Sequence, residues 1–242
     1  MKKLFATLLL ALTPTLTLFS QDPIFTQAYS AGMYLNPALT GEQKGFKANL
    51  NYRNQWPLIS GNYITNIYGV QKRIDSIGLG VGINILQDEQ GQGTLNTTGI
   101  GLVISKWVKF SDKINLSWGV NTSFYQKTVD MSKLTFGDMI DSKLGFTNNA
   151  SSDPNFNSTV SYINFTSGVL IQYKEGNTGF TYSNINTPNQ SFYTGSSSRL
   201  PARLTLHNTT IYTISKILDW KIAHTIVPVS YTHLTLPTNR EV

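Results

Sequence analysis

Residues 46–56 read FKANLNYRNQW, and apolar and polar side chains alternate along this stretch. The apolar positions are Phe46, Ala48, Leu50, Tyr52 and Trp56. The positions between them are Lys47, Asn49, Asn51, Arg53 and Gln55. Successive side chains of a β-strand point to opposite faces. The stretch therefore predicts a strand with one apolar face and one polar face.

The same period of two returns further along the chain, in IGLGVGINIL at 77–86, INLSWGVNTSFY at 114–125 and INFTSGVLIQYK at 163–174. Turn-forming residues separate these stretches, as they do in antiparallel sheets. The pattern predicts an all-β fold with about nine strands. We place them at 46–56, 63–73, 77–86, 96–109, 114–126, 159–174, 178–184, 201–215 and 220–228.

Alternation alone fits both a soluble sandwich and a membrane barrel. Many of the predicted strands have about ten residues or more, which suits a tilted membrane span better than an ordinary strand of five or six. Aromatic residues also lie near predicted strand ends, where a barrel carries its interfacial girdle. They are Tyr52, Trp56, Tyr63, Trp107, Phe110, Tyr125 and Tyr173. These features favour an antiparallel outer-membrane barrel.

The lengths of the predicted connections support the same fold. The connections after even-numbered strands are short, whereas those after odd-numbered strands are longer, notably 127–158 and 185–200. Short turns on one side and long loops on the other are typical of outer-membrane barrels. With a periplasmic N-terminus, the long loops are expected outside the cell.

The composition agrees with an exported β-protein. Only 13% of the 242 residues are charged, about half the usual share of a soluble domain. Cysteine is absent, which excludes a disulfide scaffold and a thiolate metal site. The net charge of +6 is spread along the chain, so nucleic acid is not an expected partner.

Four parts of the chain are predicted. Residues 1–20 have the basic start and apolar run of a signal peptide, too short to span a membrane. Residues 21–45 form an aperiodic segment, either on the periplasmic side or inside the barrel. Residues 46–229 form a partial transmembrane barrel, and residues 230–242 resemble translated adapter sequence rather than a native end. An unpaired ninth strand in lipid is unfavourable, so we expect a longer native chain with an even strand count.

Residue patterns for catalysis, cofactors or metals are weak. The GLGVG stretch at 78–82 lacks the spacing and the following helix of a dinucleotide site, so its glycines are expected to leave room inside the barrel. The histidines His207, His224 and His233 share no metal spacing, and the first two are expected to make lumenal hydrogen bonds. Arg53 and Gln55 are expected in the lumen, in a structural network or at a ligand. We predict neither an enzyme nor a cofactor.

Three short motifs carry a family resemblance: DPIFTQ at 22–27, YLNPALTG at 34–41 and YRNQWP at 52–57. In this order and spacing they resemble the PorP/SprF family, outer-membrane proteins of the type IX secretion and gliding machinery of Bacteroidetes. Ala28 stands where that family usually has an aromatic residue. The candidate family-motif or partner-contact residues are Asp22, Pro23, Phe25, Gln27, Asn36, Pro37, Tyr52, Arg53, Gln55 and Trp56.

The resemblance implies a barrel of the fatty-acid-transporter type in the outer membrane. Its implied partners are membrane lipid, periplasmic type IX components and secreted surface proteins such as adhesins. Three alternatives stay open. They are a transport channel for hydrophobic or small polar solutes, with the N-terminal segment as a hatch; a surface enzyme; and a secreted adhesin sandwich.

Overall fold

The structure is a computed structural model. It describes Pro23, Phe25 and residues 28–134, 139–141, 143, 145–146, 156–213 and 219–226. The predicted signal peptide, the predicted tail, Asp22 and Gln27 lie outside the described residues. The boundaries of the four predicted parts therefore stay predictions.

Nine strands of the described residues form one antiparallel sheet, in which neighbours in sequence are neighbours in space. In sheet order they are β1 (Phe46–Gln55), β2 (Tyr63–Ile74), β3 (Leu79–Gln90), β4 (Leu95–Lys109), β5 (Ile114–Val129), β8 (Thr159–Tyr173), β9 (Gly176–Ser183), β10 (Arg203–Thr213) and β11 (Asp219–Ile226). The strands β6 (Ile140–Asp141) and β7 (Gly145–Phe146) form a separate hairpin within the connection from β5 to β8.

The predicted all-β antiparallel fold with about nine strands is confirmed. Strand ends differ from the sequence prediction by a few residues, since β3 and β5 continue to Gln90 and Val129. The extension of β3 shortens its connection to β4 to residues 91–94, as short as the turns 75–78 and 110–113. The predicted rule of longer connections after odd-numbered strands is therefore wrong at this position, although 130–158 and 184–202 are long.

The two faces of the sheet have opposite polarity. On β4, Ile100, Leu102 and Ile104 are 49%, 60% and 50% exposed, whereas Val103 and Ser105 are each 1% exposed. We call the covered side the inner face and the opposite side the outer face. Polar side chains buried on the inner face include Thr65, Gln71, Asn84, Asp88, Ser105, Ser117, Asn121, Thr181 and His207. Apolar side chains outside and polar side chains inside are the reverse of a soluble core.

The exposed outer face also decides against the sandwich alternative. That alternative required the faces of Phe46, Leu79 and Trp118 to pack on one another. Instead, Phe46 is 69% exposed and Trp118 is 55% exposed.

The sheet is strongly curled. The Gly41 amide donates to Gln71 Oε1 on β2 over 2.7 Å, and the next residue, Glu42, accepts from Asn177 Nδ2 on β9 over 3.0 Å. In a flat sheet β2 and β9 would lie about 24 Å apart, since five strand spacings separate them. Two consecutive residues reach both strands, so the sheet wraps around them as a partial barrel wall.

Three members of the predicted aromatic girdle lie elsewhere. Tyr63 pairs with Gln55 and occupies the same face of β2 as the buried Thr65 and Ile67. Trp107 is only 5% exposed and points to the inner face, and Tyr125 packs beside a buried apolar cluster there. The girdle prediction is wrong for these three residues, because their strand positions direct the side chains to the inner face, opposite the exposed apolar side chains. No helix in the described part of the chain is long and apolar enough to cross a membrane.

Candidate functional site

Residues 28–42, which we call the N-terminal segment, lie against the inner face. The segment consists of a 3-10 turn (Ala28–Ala31), one α-helical turn (Gly32–Leu35) and a second 3-10 turn (Pro37–Leu39). Asn36 joins the last two, and its Oδ1 accepts from the Ala38 amide over 2.9 Å. Asn at the cap and Pro at the first position after it are favoured at the start of helical turns. The local sequence therefore fixes the bend of the segment.

The side chain of Asn36 connects the segment to three strands. Its Nδ2 lies 3.1 Å from the Val169 carbonyl oxygen on β8, 3.4 Å from the Phe180 carbonyl oxygen on β9 and 3.0 Å from His207 Nε2 on β10. Asn36 is fully buried and His207 is 2% exposed. Because an amide nitrogen only donates, His207 Nε2 accepts here, and its ring proton belongs on Nδ1.

Side chains of the wall also bind the backbone of the segment. Hydroxyl groups of Thr181, Ser117 and Ser105 donate to the carbonyl oxygens of Leu35, Ala38 and Thr40 over 3.1, 2.8 and 2.5 Å. Trp107 Nε1 donates to the same Thr40 oxygen over 2.7 Å, and Arg73 Nη1 donates to the Gly41 oxygen over 3.1 Å. The wall therefore satisfies polar backbone groups that would otherwise be buried without partners.

Glycines on the inner face let the segment approach the wall closely. A Cβ added at Gly119 would overlap the carbonyl group of Pro37, and one added at Gly168 would overlap the Asn36 side chain. Gly82, from the GLGVG stretch, faces Met33, whose Sδ would lie 2.6 Å from an added Cβ. The predicted space inside the barrel therefore exists, and the N-terminal segment fills it.

Two small apolar clusters complete the contact between segment and wall. Phe25 and Ala31 pack with Ile67 and Leu86 in one cluster. The other cluster contains Ala38, Leu39, Trp107 and Leu170. Both clusters combine segment residues with wall residues, so removing the segment would expose apolar as well as polar side chains.

The eight family-motif residues that the structure describes fall into two groups. In the first, Asn36 and Pro37 are fully buried, and Phe25 is 8% exposed with its ring edge-on to Tyr34 at 6.1 Å. Tyr34 donates its hydroxyl to the Pro23 carbonyl oxygen over 2.9 Å. These residues lie together on the inner face.

The second group lies at the far end of β1. Tyr52 and Trp56 are 63% and 56% exposed, while Arg53 and Gln55 are half-buried. The segment contacts β1 at Asn51, directly before this group, where Ser30 donates to Asn51 Oδ1 over 2.6 Å. The described contacts therefore do not bring this group to Asn36.

Several residues of the site were not singled out in the sequence, namely Gln71, Ser105, Ser117 and Thr181. Their signal is a polar residue on the polar face of a strand, often two positions from a glycine, as in Ser117 and Gly119. The predicted lumenal hydrogen bond is confirmed for His207. It is wrong for His224, which is exposed. His224 pairs with Asn208, which follows His207 in the chain. The His224 side chain therefore points to the opposite face of the sheet from the His207 side chain.

Comparison with protein families gave one match that spans most of the chain. A family model described as type IX secretion system membrane protein PorP/SprF matches residues 17–231. Comparisons with curated proteins and with solved structures gave no match. The match includes the N-terminal segment and the whole described sheet.

The Asn36→Ala substitution is expected to lower the free energy of unfolding by about 2–4 kcal/mol, because it leaves the buried His207 Nε2 without its donor and the Ala38 amide without its acceptor. Urea unfolding of the detergent-solubilised protein measures this change. The control Ser30→Ala removes one partly buried hydrogen bond and should lower it by about 1 kcal/mol. Equal losses in the two variants would contradict the role assigned to Asn36.

The Gly119→Ala substitution is expected to push the segment off the wall, because the new methyl group would overlap Pro37. Hydrogen exchange at the Ala38 and Leu39 amides, which both bond to Asn36, should accelerate about tenfold or more. Gly32→Ala is the matched control, since its Cβ meets Leu39 at an ordinary 3.7 Å. Unchanged exchange in Gly119→Ala would show that the segment does not depend on this contact.

Proposed function

Because the chain belongs to the PorP/SprF family of type IX secretion system membrane proteins, we propose that it is an outer-membrane barrel component that supports the export or surface anchoring of secreted proteins such as adhesins. The observation that carries this proposal is the family match over residues 17–231. The family is one of secretion-system membrane proteins rather than of enzymes, so the proposed role is structural.

The outer face supports contact with membrane lipid. Its exposed apolar side chains occur on seven neighbouring strands and include Leu50, Val70, Ile83, Ile85, Ile100, Leu102, Ile104, Phe124, Ile163, Phe165, Val169, Ile171 and Phe180. A continuous apolar surface of this kind needs an apolar environment. Most of the strands have ten residues or more, enough for a tilted span of the hydrocarbon layer.

The proposed mechanism is scaffolding at the two ends of the wall. The connections 130–158 and 184–202 join strands at the same end of the wall, where they would meet exported proteins. The two connections contact each other at this end, since the Asn157 amide donates to the Phe192 carbonyl oxygen over 2.7 Å and the Phe156 and Phe192 rings stack at 5.9 Å. The short turns at the other end would face the periplasm and its type IX components.

The transport-channel alternative receives less support. A solute would need a path along the inner face, where the N-terminal segment is packed from Ser30 beside β1 to Glu42 beside β9. The segment would have to leave before such a path opened. Scaffolding requires no such movement.

Membrane placement can be tested with the tryptophans, of which the sequence has four. In one variant only Trp118 is kept, and in the other only Trp107, with Phe at the remaining positions. In vesicles of brominated phospholipid, fluorescence of the exposed Trp118 should be strongly quenched, whereas the buried Trp107 should be little affected. Equal quenching of both would contradict a lipid-facing outer face.

The secretion role can be tested by deleting the gene and measuring adhesins on the cell surface. The proposal predicts loss of their surface display, with recovery when the gene is restored. A strain that keeps normal display but loses uptake of a solute would instead identify a transport channel.

A further inference from the structure

We propose that the inner face of the sheet is a peptide-binding groove, and that the N-terminal segment is its tethered occupant. A second peptide with an Asn-Pro turn followed by small residues can then replace the segment. This inference deepens the proposed function and rests on it in one respect, because that function makes an exported protein the source of the second peptide.

The first support is that much of the hydrogen bonding from the wall goes to backbone atoms of the segment. Donors from β2, β4, β5 and β9 bond to the carbonyl oxygens of Leu35, Ala38, Thr40 and Gly41. An acceptor on β2 binds the Gly41 amide. Every peptide presents these backbone groups, so such a wall can hold a second chain in the same path. Peptide-recognition sites commonly obtain affinity from main-chain hydrogen bonds and specificity from a few pockets.

The second support is that the groove requires one particular side chain, that of asparagine, at the position of Asn36. The Asn36 side chain reaches β8, β9 and β10 at once and bonds to the buried His207. Gly168 leaves the space that this side chain occupies, and Gly119 leaves space for the Pro37 carbonyl group. A replacing peptide must therefore carry Asn at this position, a turn directly after it, and small residues against the wall.

The third support is that the contact between the N-terminal segment and the wall is largely polar, so another peptide can replace the segment. A typical hydrogen bond adds only a small net stabilisation, because water or another polar group can replace the partner. The apolar contribution comes from two clusters of four buried residues each. A peptide that repeats the same contacts would thus bind equally well, apart from the advantage that the covalent connection gives the segment.

The covalent connection is short and accessible. Gln43, Lys44 and Gly45 are exposed and join the segment to β1. A short link holds a bound segment at an effective concentration of about 1 mM or more. A competing peptide must therefore be present at a comparable local concentration, as an exported chain passing through the same assembly would be.

The decisive experiment removes this covalent advantage without changing the groove. A protease site is inserted between Gln43 and Lys44, and the full-length protein is folded in detergent before it is cut. A labelled peptide of residues 28–42, AYSAGMYLNPALTGE, is then added. The peptide should bind after the cut and displace the original segment, but it should bind the uncut protein at least tenfold more weakly.

The matched control peptide has Ala in place of the residue at position 36 and should bind the cut protein at least tenfold more weakly than the native peptide. Failure of the native peptide to exchange over days would overturn the inference. Equal binding of the two peptides would also overturn it, because Asn36 would then not be recognised. These measurements use purified protein, so their failure leaves the secretion proposal intact, and failure of the deletion test leaves the exchange result intact.

The source of the peptide is tested in cells. An exported reporter that ends in residues 28–42 should co-purify with the protein, whereas the same reporter with the Ala substitution should not. Equal recovery of both reporters would contradict recognition of an exported segment. Formation of dimers by the cut protein on size-exclusion chromatography, with segments exchanged between copies, would identify a second copy as the partner and overturn the exported source.

Discussion

The hydrogen bonds of one side chain, Asn36, hold the N-terminal segment at the centre of the curled sheet. Its amide nitrogen lies within hydrogen-bond distance of groups on β8, β9 and β10, while its amide oxygen caps the turn that begins at Pro37. The same residue therefore fixes the shape of the segment and its position on the wall. The glycines at 119 and 168 are required because the segment lies so close to the sheet.

The position of the segment follows from the polarity of the wall. With apolar side chains outside, polar groups such as Ser105, Ser117 and Thr181 collect on the inner face. Burying such groups without partners would cost several kcal/mol in total. The segment supplies the partners through its own carbonyl groups. The outer face and the lumenal segment are thus two consequences of one alternating pattern, and both suit a secretion-system membrane protein.

Much of the sheet could be predicted from the sequence because a period of two is a local property of each strand. The motif around Asn36 and Pro37 could also be recognised, but its partners could not, since His207 is 171 residues away. Trp107 illustrates the limit. Its aromatic character and its place near a strand end indicated a girdle residue. Its position in the alternating pattern instead directs the side chain to the inner face, where the indole nitrogen donates to the Thr40 carbonyl oxygen. Only the curl of the sheet brings such distant residues together.

The central claim is that Asn36 binds the segment to the wall through a direct bond to His207. A double-mutant cycle with Asn36→Ala, His207→Ala and the double variant tests it, with urea unfolding as the readout. Residues in direct contact within one hydrogen-bond network typically show coupling of about 0.5–3 kcal/mol. We predict a coupling free energy of about 1 kcal/mol or more. Strictly additive losses in the two single variants would contradict the account.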